Sequence, residues 1–160
     1  MGTNWPSTRV TMTGLSRLYS VIRLIERVST HNVPGAFIEL GVWRGGMSIM
    51  ARAALVVNGL ADRRMYLCDS FMGLPPARNS SLRTDEDYSD FNRTLAVSEQ
   101  HVIQNFAAFG FADGVLENGA AKLIKGYFVD SLPPLRATLL KSHERLAILR
   151  MDGDMYDATV

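Results

Sequence analysis

The run Ala36-Phe37-Ile38-Glu39-Leu40-Gly41-Val42-Trp43-Arg44-Gly45-Gly46 decides the fold, because it reads as a buried strand breaking into a glycine turn that opens a helix. A junction of this kind is a nucleotide-cofactor site. The residue at the middle of the turn bears on which nucleotide. A dinucleotide fingerprint needs glycine two residues after Gly41, so that the backbone can touch a pyrophosphate. Trp43 stands there instead. S-adenosylmethionine has no pyrophosphate and does not need that approach, and Glu39 at the strand end is placed to hold its ammonium group. The turn therefore favours a methyl donor over NAD, with Glu39, Gly41, Val42 and Trp43 as candidate contacts.

Working outward, Leu15, Leu18, Ile22, Ile25 and Val28 recur at helical spacing and predict an amphipathic helix over about 13–29, stopped by Asn32-Val33-Pro34-Gly35. After the turn, residues 45–57 are apolar on most faces and read as a helix packed on a sheet. Met65 to Asp69 is a second short strand ending in a carboxylate, which completes one βαβ unit. The polar stretch 72–94, with Asp85-Glu86-Asp87, reads as a long loop. Ser98 is the expected N-cap of a helix carrying Val102, Ile103, Phe106 and Phe109 and closed by Gly110. A third strand is expected over 121–124, a short helix within 134–141, and a fourth strand over 146–151. Strands alternating with helices argue for an α/β fold with a mostly parallel sheet and helices on both faces.

The chain has 160 residues, 47% of them hydrophobic, and a net charge of +1, the profile of one globular domain. Scattered charge gives no electrostatic footprint for nucleic acid or for an anionic membrane. With no apolar run long enough to span a bilayer and no leader pattern at residues 1–7, a cytoplasmic location is expected. Cys68 is the single cysteine, so neither a disulfide nor a zinc cluster is available, and its place in a strand predicts an inert buried thiol. His31, His101 and His143 form no ligand spacing.

Three positions beyond the turn carry chemistry. Asp69, at the end of the second strand, is placed to accept hydrogen bonds from both ribose hydroxyls of an adenosine, or else to cap the next turn through Ser70. Gly126 admits close approach to an adenine, with Tyr127 or Phe128 packing on its face or turned into the core. Asp152 and Asp154 project from the same side of an extended backbone, where two carboxylates tolerate each other if a proton or a cation such as Mg²⁺ lies between them. A bound Mg²⁺ would lower the pKa of a coordinated substrate hydroxyl. The alternative for this pair is a turn in which one Asp caps a helix near Tyr156.

These segments resemble the macrocin O-methyltransferase family: Thr11-Met12-Thr13-Gly14, Asn32-Val33-Pro34-Gly35, Ile38 to Gly46, Asp69-Ser70-Phe71-x-Gly73-Leu74-Pro75, Gly126-Tyr127-Phe128-x-Asp130-Ser131-Leu132-Pro133 and Leu149-Arg150-x-Asp152-Gly153-Asp154-x-Tyr156. The resemblance implies a Rossmann-like class I fold with strand order 3-2-1-4, S-adenosylmethionine as cofactor, and Mg²⁺-assisted methyl transfer to a hydroxyl. The implied acceptor is a small molecule, a hydroxylated sugar or polyketide-type glycoside. By position, Met12, Glu39, Ser48, Asp69, Ser70, Gly126 and Tyr127 would contact the cofactor. Asp152 would be metal ligand, cofactor contact and general base, with Asp154 the lesser candidate ligand.

The family also continues into a fifth strand carrying an Asp-Asp pair that completes the Mg²⁺ site, followed by two more strands. The remaining metal ligands would therefore lie beyond Val160. Against that pattern residues 1–160 read as a single incomplete domain: an N-terminal cap helix over 10–35 and the first half of the core over 36–160. The expected consequences are an open edge on the fourth strand, open to a homo-oligomeric contact, and impaired turnover. Two other classes remain open at this point. One is a non-catalytic S-adenosylmethionine-binding or assembly remnant; the other is a nucleotide-dependent oxidoreductase.

Overall fold

The computed structural model describes residues 9–75, 95–112 and 119–153. Four strands, β1 (Ala36–Leu40), β2 (Met65–Asp69), β3 (Ala121–Lys125) and β4 (Leu146–Met151), form one parallel sheet in the order β3-β2-β1-β4. Helices α1 (Leu15–Thr30), α2 (Gly46–Val57), α3 (Glu99–Ala108) and α4 (Phe128–Lys141) are packed around it. The expected strand order and parallel α/β architecture are both present.

Alternation along the strands assigns the two faces. Phe37, Met65, Leu67 and Ile148 share one apolar cluster with Val21 and Ile25 of α1, Leu55 of α2, and Val102 and Phe106 of α3. Ala36, Ile38, Leu40, Tyr66 and Cys68 meet Leu135 and Leu139 of α4 on the other. Covering both faces is why β1 is buried at every position, as its apolar run requires. The chain winds outward from β1 through β2 to β3 and then returns to the other side of β1 for β4. That reversal puts the switch point at the carboxyl ends of β1 and β4, and the crevice outside such a point is where open α/β sheets bind ligands.

Local expectations hold at β2 and β4, whose ends fall where the apolar runs end. Ser98 caps α3 as its sequence position predicts, its Oγ accepting from the His101 N–H at 3.3 Å. Phe109 does not join the stripe: it follows the last helical residue and is 55% exposed. The buried stripe of α1 runs through Val21, Ile25 and Val28, whereas Leu15, in the first turn, is 73% exposed. Helix α4 begins at Phe128, well before the expected 134, with Pro133 and Pro134 inside it. Proline reads as a helix start because it lacks an N–H, but the first turn here is already closed by Asp130 and Ser131 N–H groups donating to the Tyr127 carbonyl at 2.9 Å. Ser131, Leu135 and Leu139, four apart, then seat the helix on the sheet.

Among the described residues β4 pairs with β1 alone, and Leu146, Leu149 and Met151 stay about half exposed. No helix among the described residues is long and apolar enough to cross a membrane.

Two outcomes test this packing. Phe106→Ala empties a fully buried ring position and is expected to lower the urea-unfolding free energy by about 3–5 kcal/mol; a loss under about 1 kcal/mol would contradict the burial. Cys68 is wholly buried, and burial, then the nearby Asp69 and Glu39 carboxylates, push its thiol up to about 12. An aromatic disulfide reagent at neutral pH is therefore expected to label it only after unfolding, and prompt labelling of the native chain would contradict that placement.

Candidate functional site

The glycine turn is built on the end of β1, and positive φ angles bend it. Gly41 adopts φ +92°, Trp43 +50° and Gly45 +83°. A Cβ on Gly41 would overlap the carbonyl oxygen of Asp152, so glycine is what lets the ends of β1 and β4 lie together. Gly46 has a similar reason: a side chain there would strike the Val10 carbonyl, which accepts the Gly46 N–H at 2.9 Å. Residues 9–13, Met12 among them, are thereby latched beside the turn, with a second tie from Arg44 Nη1 to the Arg9 carbonyl at 2.9 Å.

Asp69 fastens the turn from below. Its Oδ2 accepts the Val42 N–H at 2.7 Å and the Trp43 N–H at 3.1 Å, and its Oδ1 accepts the Phe71 N–H at 2.9 Å. Its backbone carbonyl accepts the Gly126 N–H at 3.0 Å, which draws in the start of α4 and Tyr127. The neighbouring Ser70 is buried; its hydroxyl donates to the Gly73 carbonyl at 2.6 Å and accepts the Met72 N–H at 3.0 Å, holding the exit of β2 in a tight turn. Asp69, Ser70, Gly126 and the Gly41-Trp43 turn thus converge at the carboxyl end of β1 and β2.

Glu39 and Ser48 lie deeper. Glu39 is 1% exposed. Ser48, wholly buried on α2, donates its hydroxyl to Glu39 Oε2, and Arg150 Nη1 donates to Oε1 at 2.7 Å. Arg150 Nη2 donates in turn to Asp152 Oδ2. Both oxygens of Glu39 are therefore engaged within the protein, under the turn. Arg150 is not among the residues singled out from the sequence, although a signal exists: an arginine inside an apolar strand must find an anion, and Glu39 is the carboxylate inside the adjacent one.

Asp154, the lesser candidate ligand, lies outside the described residues, which end at Gly153, and so does the chain from there to Val160. The expectation that further metal ligands follow Val160 falls outside them as well. Residues 76–94, with their acidic run, are likewise not described. His31, His101 and His143 are exposed, and His31 Nδ1 meets the Arg27 carbonyl at 2.8 Å at the end of α1.

An open recess of about 320 Å³ lies at the opposite, amino end of the strands, lined by Gly35, Leu60, Arg63, Arg64 and Glu144. Its polar groups face each other: Arg63 donates to the Val33 and Gly35 carbonyls, and Tyr66 and Arg64 donate to Glu144.

Five N–H groups of the turn have acceptors within the chain. Val42 and Trp43 serve Asp69, Gly41 serves the Cys68 carbonyl, Gly45 the Val42 carbonyl and Gly46 the Val10 carbonyl. At Val42 and Trp43 a pyrophosphate would meet N–H groups already bound to the Asp69 carboxylate. The site is thus a glycine turn at the switch point of an α/β sheet, with two of its N–H groups filled by a carboxylate of the chain itself. The solved structure of the O-methyltransferase NovP superposes with a TM-score of 0.80 at 34% identity, over 98% of this chain and 61% of that one.

The chain belongs to the macrocin O-methyltransferase (TylF) family, whose profile matches residues 1–160. It is 37% identical, over 99% of its length and 58% of the relative's, to 8-demethyl-8-(2,3-dimethoxy-alpha-L-rhamnosyl)-tetracenomycin-C 4'-O-methyltransferase of Streptomyces olivaceus. It is 36% identical to demethyldecarbamoylnovobiocin O-methyltransferase of Streptomyces niveus, over 99% of this chain and 57% of the relative. The calicheamicin methyltransferase CalS11 shares the fold, with a TM-score of 0.70 at 23% identity over 94% of this chain and 58% of that one. The chain thus spans a little under three fifths of the length of these curated relatives.

Two expected outcomes follow from the site. Gly41→Ala is expected to cost several kcal/mol, both from the clash and from the left-handed backbone; an unchanged melting temperature would contradict the contact. Burial pushes the Glu39 carboxyl from its ordinary 4.5 up to about 7, against the lowering pull of Arg150 and Ser48. Between those values the folded chain holds a proton that the unfolded chain has released. This group's stabilisation is therefore full below about 4.5 and is lost as pH rises through about 7. The stability of the unmutated chain relative to Glu39→Gln should fall, on the order of a few kcal/mol, as pH is raised from about 4.5 to 8. A flat or rising difference in urea titrations would contradict it.

Proposed function

We propose that this chain carries the donor site of an S-adenosylmethionine-dependent O-methyltransferase that acts on a hydroxyl of a sugar attached to a natural product. The observation that carries this reading is the Asp69 carboxylate on the Val42 and Trp43 N–H groups. It fills two N–H groups of the turn and puts a carboxylate at its centre, which suits a cationic cofactor better than a phosphate. Family membership and the named activities of the relatives support the same class of reaction.

S-adenosylmethionine, when bound, would supply a sulfonium methyl group to an acceptor hydroxyl, with S-adenosylhomocysteine as the leaving group. In this reading the Gly41-Val42-Trp43 turn, Asp69, Ser70, Gly126 and Tyr127 form its seat, with Met12 at the rim. Glu39 and Ser48 support the seat from beneath. Asp152 Oδ2 is held by Arg150, and Oδ1 is the oxygen proposed to take the proton of the acceptor hydroxyl. The acceptor itself is read from the relatives' names, which describe sugar-bearing and novobiocin-type substrates.

Mg²⁺ is a separate matter. No group of three His, Cys, Asp or Glu side chains is placed to hold a metal among the described residues. Among the described residues Asp152 gives one of its oxygens to Arg150, whereas Mg²⁺ takes a full shell of oxygen ligands. The described residues by themselves do not fit the ion.

Calorimetric titration tests the reading. S-adenosylhomocysteine is expected to bind the chain and NAD is not, and Asp69→Ala is expected to weaken the binding by at least about tenfold. Binding of NAD without S-adenosylhomocysteine would overturn the proposal in favour of a dinucleotide enzyme.

A further inference from the structure

Arg150 is the charged residue that the sheet places between the glycine turn and the mouth of the crevice. It stands in register with Glu39 on the adjacent strand, so both side chains leave the sheet on the same face. Its Nη1 donates to Glu39 Oε1 at 2.7 Å and lies 3.5 Å from the Gly41 carbonyl oxygen, while its Nη2 donates to Asp152 Oδ2. Side-chain exposure rises along this series, from 1% for Glu39 through 13% for Arg150 to 39% for Asp152. One end is fixed in the core and the other opens on the crevice. A half-exposed aspartate past the end of a strand has several rotamers open to it. A planar guanidinium that holds each carboxylate with a different nitrogen removes that freedom, which a lysine ammonium, a single point charge, does not.

We propose that Arg150 is a positioning residue: through its two nitrogens it carries the fixed position of Glu39, beneath the glycine turn, to Asp152, and so sets where the crevice carboxylate stands against the bound methyl donor. This role rests on the methyl-donor reading of the crevice. Its signature is that Arg150 and Asp152 act as a unit. Losing either has the same effect on donor affinity, and losing both adds nothing.

The test is a double-variant cycle by calorimetry with S-adenosylhomocysteine on the unmutated chain, Arg150→Lys, Asp152→Asn and the two combined. Arg150→Lys keeps a cation beside buried Glu39, so that carboxylate is not left without a counter-charge. Each single variant is expected to bind about tenfold more weakly, and the combination also about tenfold more weakly. A combined loss of about a hundredfold, the product of independent effects, overturns the proposal, as does wild-type affinity in Arg150→Lys. Should Arg150→Lys fail to fold, the guanidinium ¹⁵N signals of the unmutated chain and Asp152→Asn decide the matter. The Nη2 signal is expected to be resolved in the first and to move in the second while Nη1 stays. Signals averaged in both overturn the proposal. Failure of the unmutated chain to bind overturns the donor reading and this role with it, whereas binding with additive variants overturns the role of Arg150 alone.

Discussion

The Asp69 carboxylate, shared among the N–H groups of Val42, Trp43 and Phe71, is the interaction on which the crevice depends. It joins segments 27 residues apart and fixes the exit of β1 and the exit of β2 at one point. The Gly126 N–H on the Asp69 carbonyl adds the exit of β3. Hydrogen bonds to a charged acceptor are worth roughly 1.5–3 kcal/mol each, enough to hold Trp43 at φ +50°, where a side chain ordinarily resists. The same interaction sets the electrostatics. In a dinucleotide fold the N–H groups at such a turn await a phosphate from outside; here an anion from the chain itself has already met them.

A second constraint lies beneath the first. Glu39 is a buried carboxylate in the central strand, and burial raises its pKa to about 7 despite Arg150 and Ser48. A core built for stability alone would place an apolar residue there. Its retention makes sense where the paired arginine emerges, at the mouth of the crevice beside Asp152. The stability surrendered in the strand is offset by the two apolar layers, which close over β1 from both faces.

Much of this was legible from residue order. Met65 to Asp69 and Leu146 to Met151 are apolar runs bounded by polar residues, so their strand limits were readable to the residue. The glycine turn announced itself because its glycines and its tryptophan have no other local explanation. The rest depended on neighbours far apart in the chain. Helix α4 starts before its prolines because the Tyr127 carbonyl collects the N–H groups of its first turn. The pairing of Ser48 with Glu39 spans 9 positions, and that of Arg150 with Glu39 spans 111 and exists only once β4 is laid beside β1. The latch of Val10 on Gly46 spans 36 positions and leaves no periodic trace.

The central claim is that the turn held by Asp69 is the seat of the methyl donor. Amide ¹H–¹⁵N spectra recorded during titration with S-adenosylhomocysteine test it most directly. The largest shifts are expected at the N–H groups of Val42, Trp43, Phe71 and Gly126. Shifts confined to the amino end of the sheet, around Arg63, Arg64 and Glu144, or no shift at all, would contradict it.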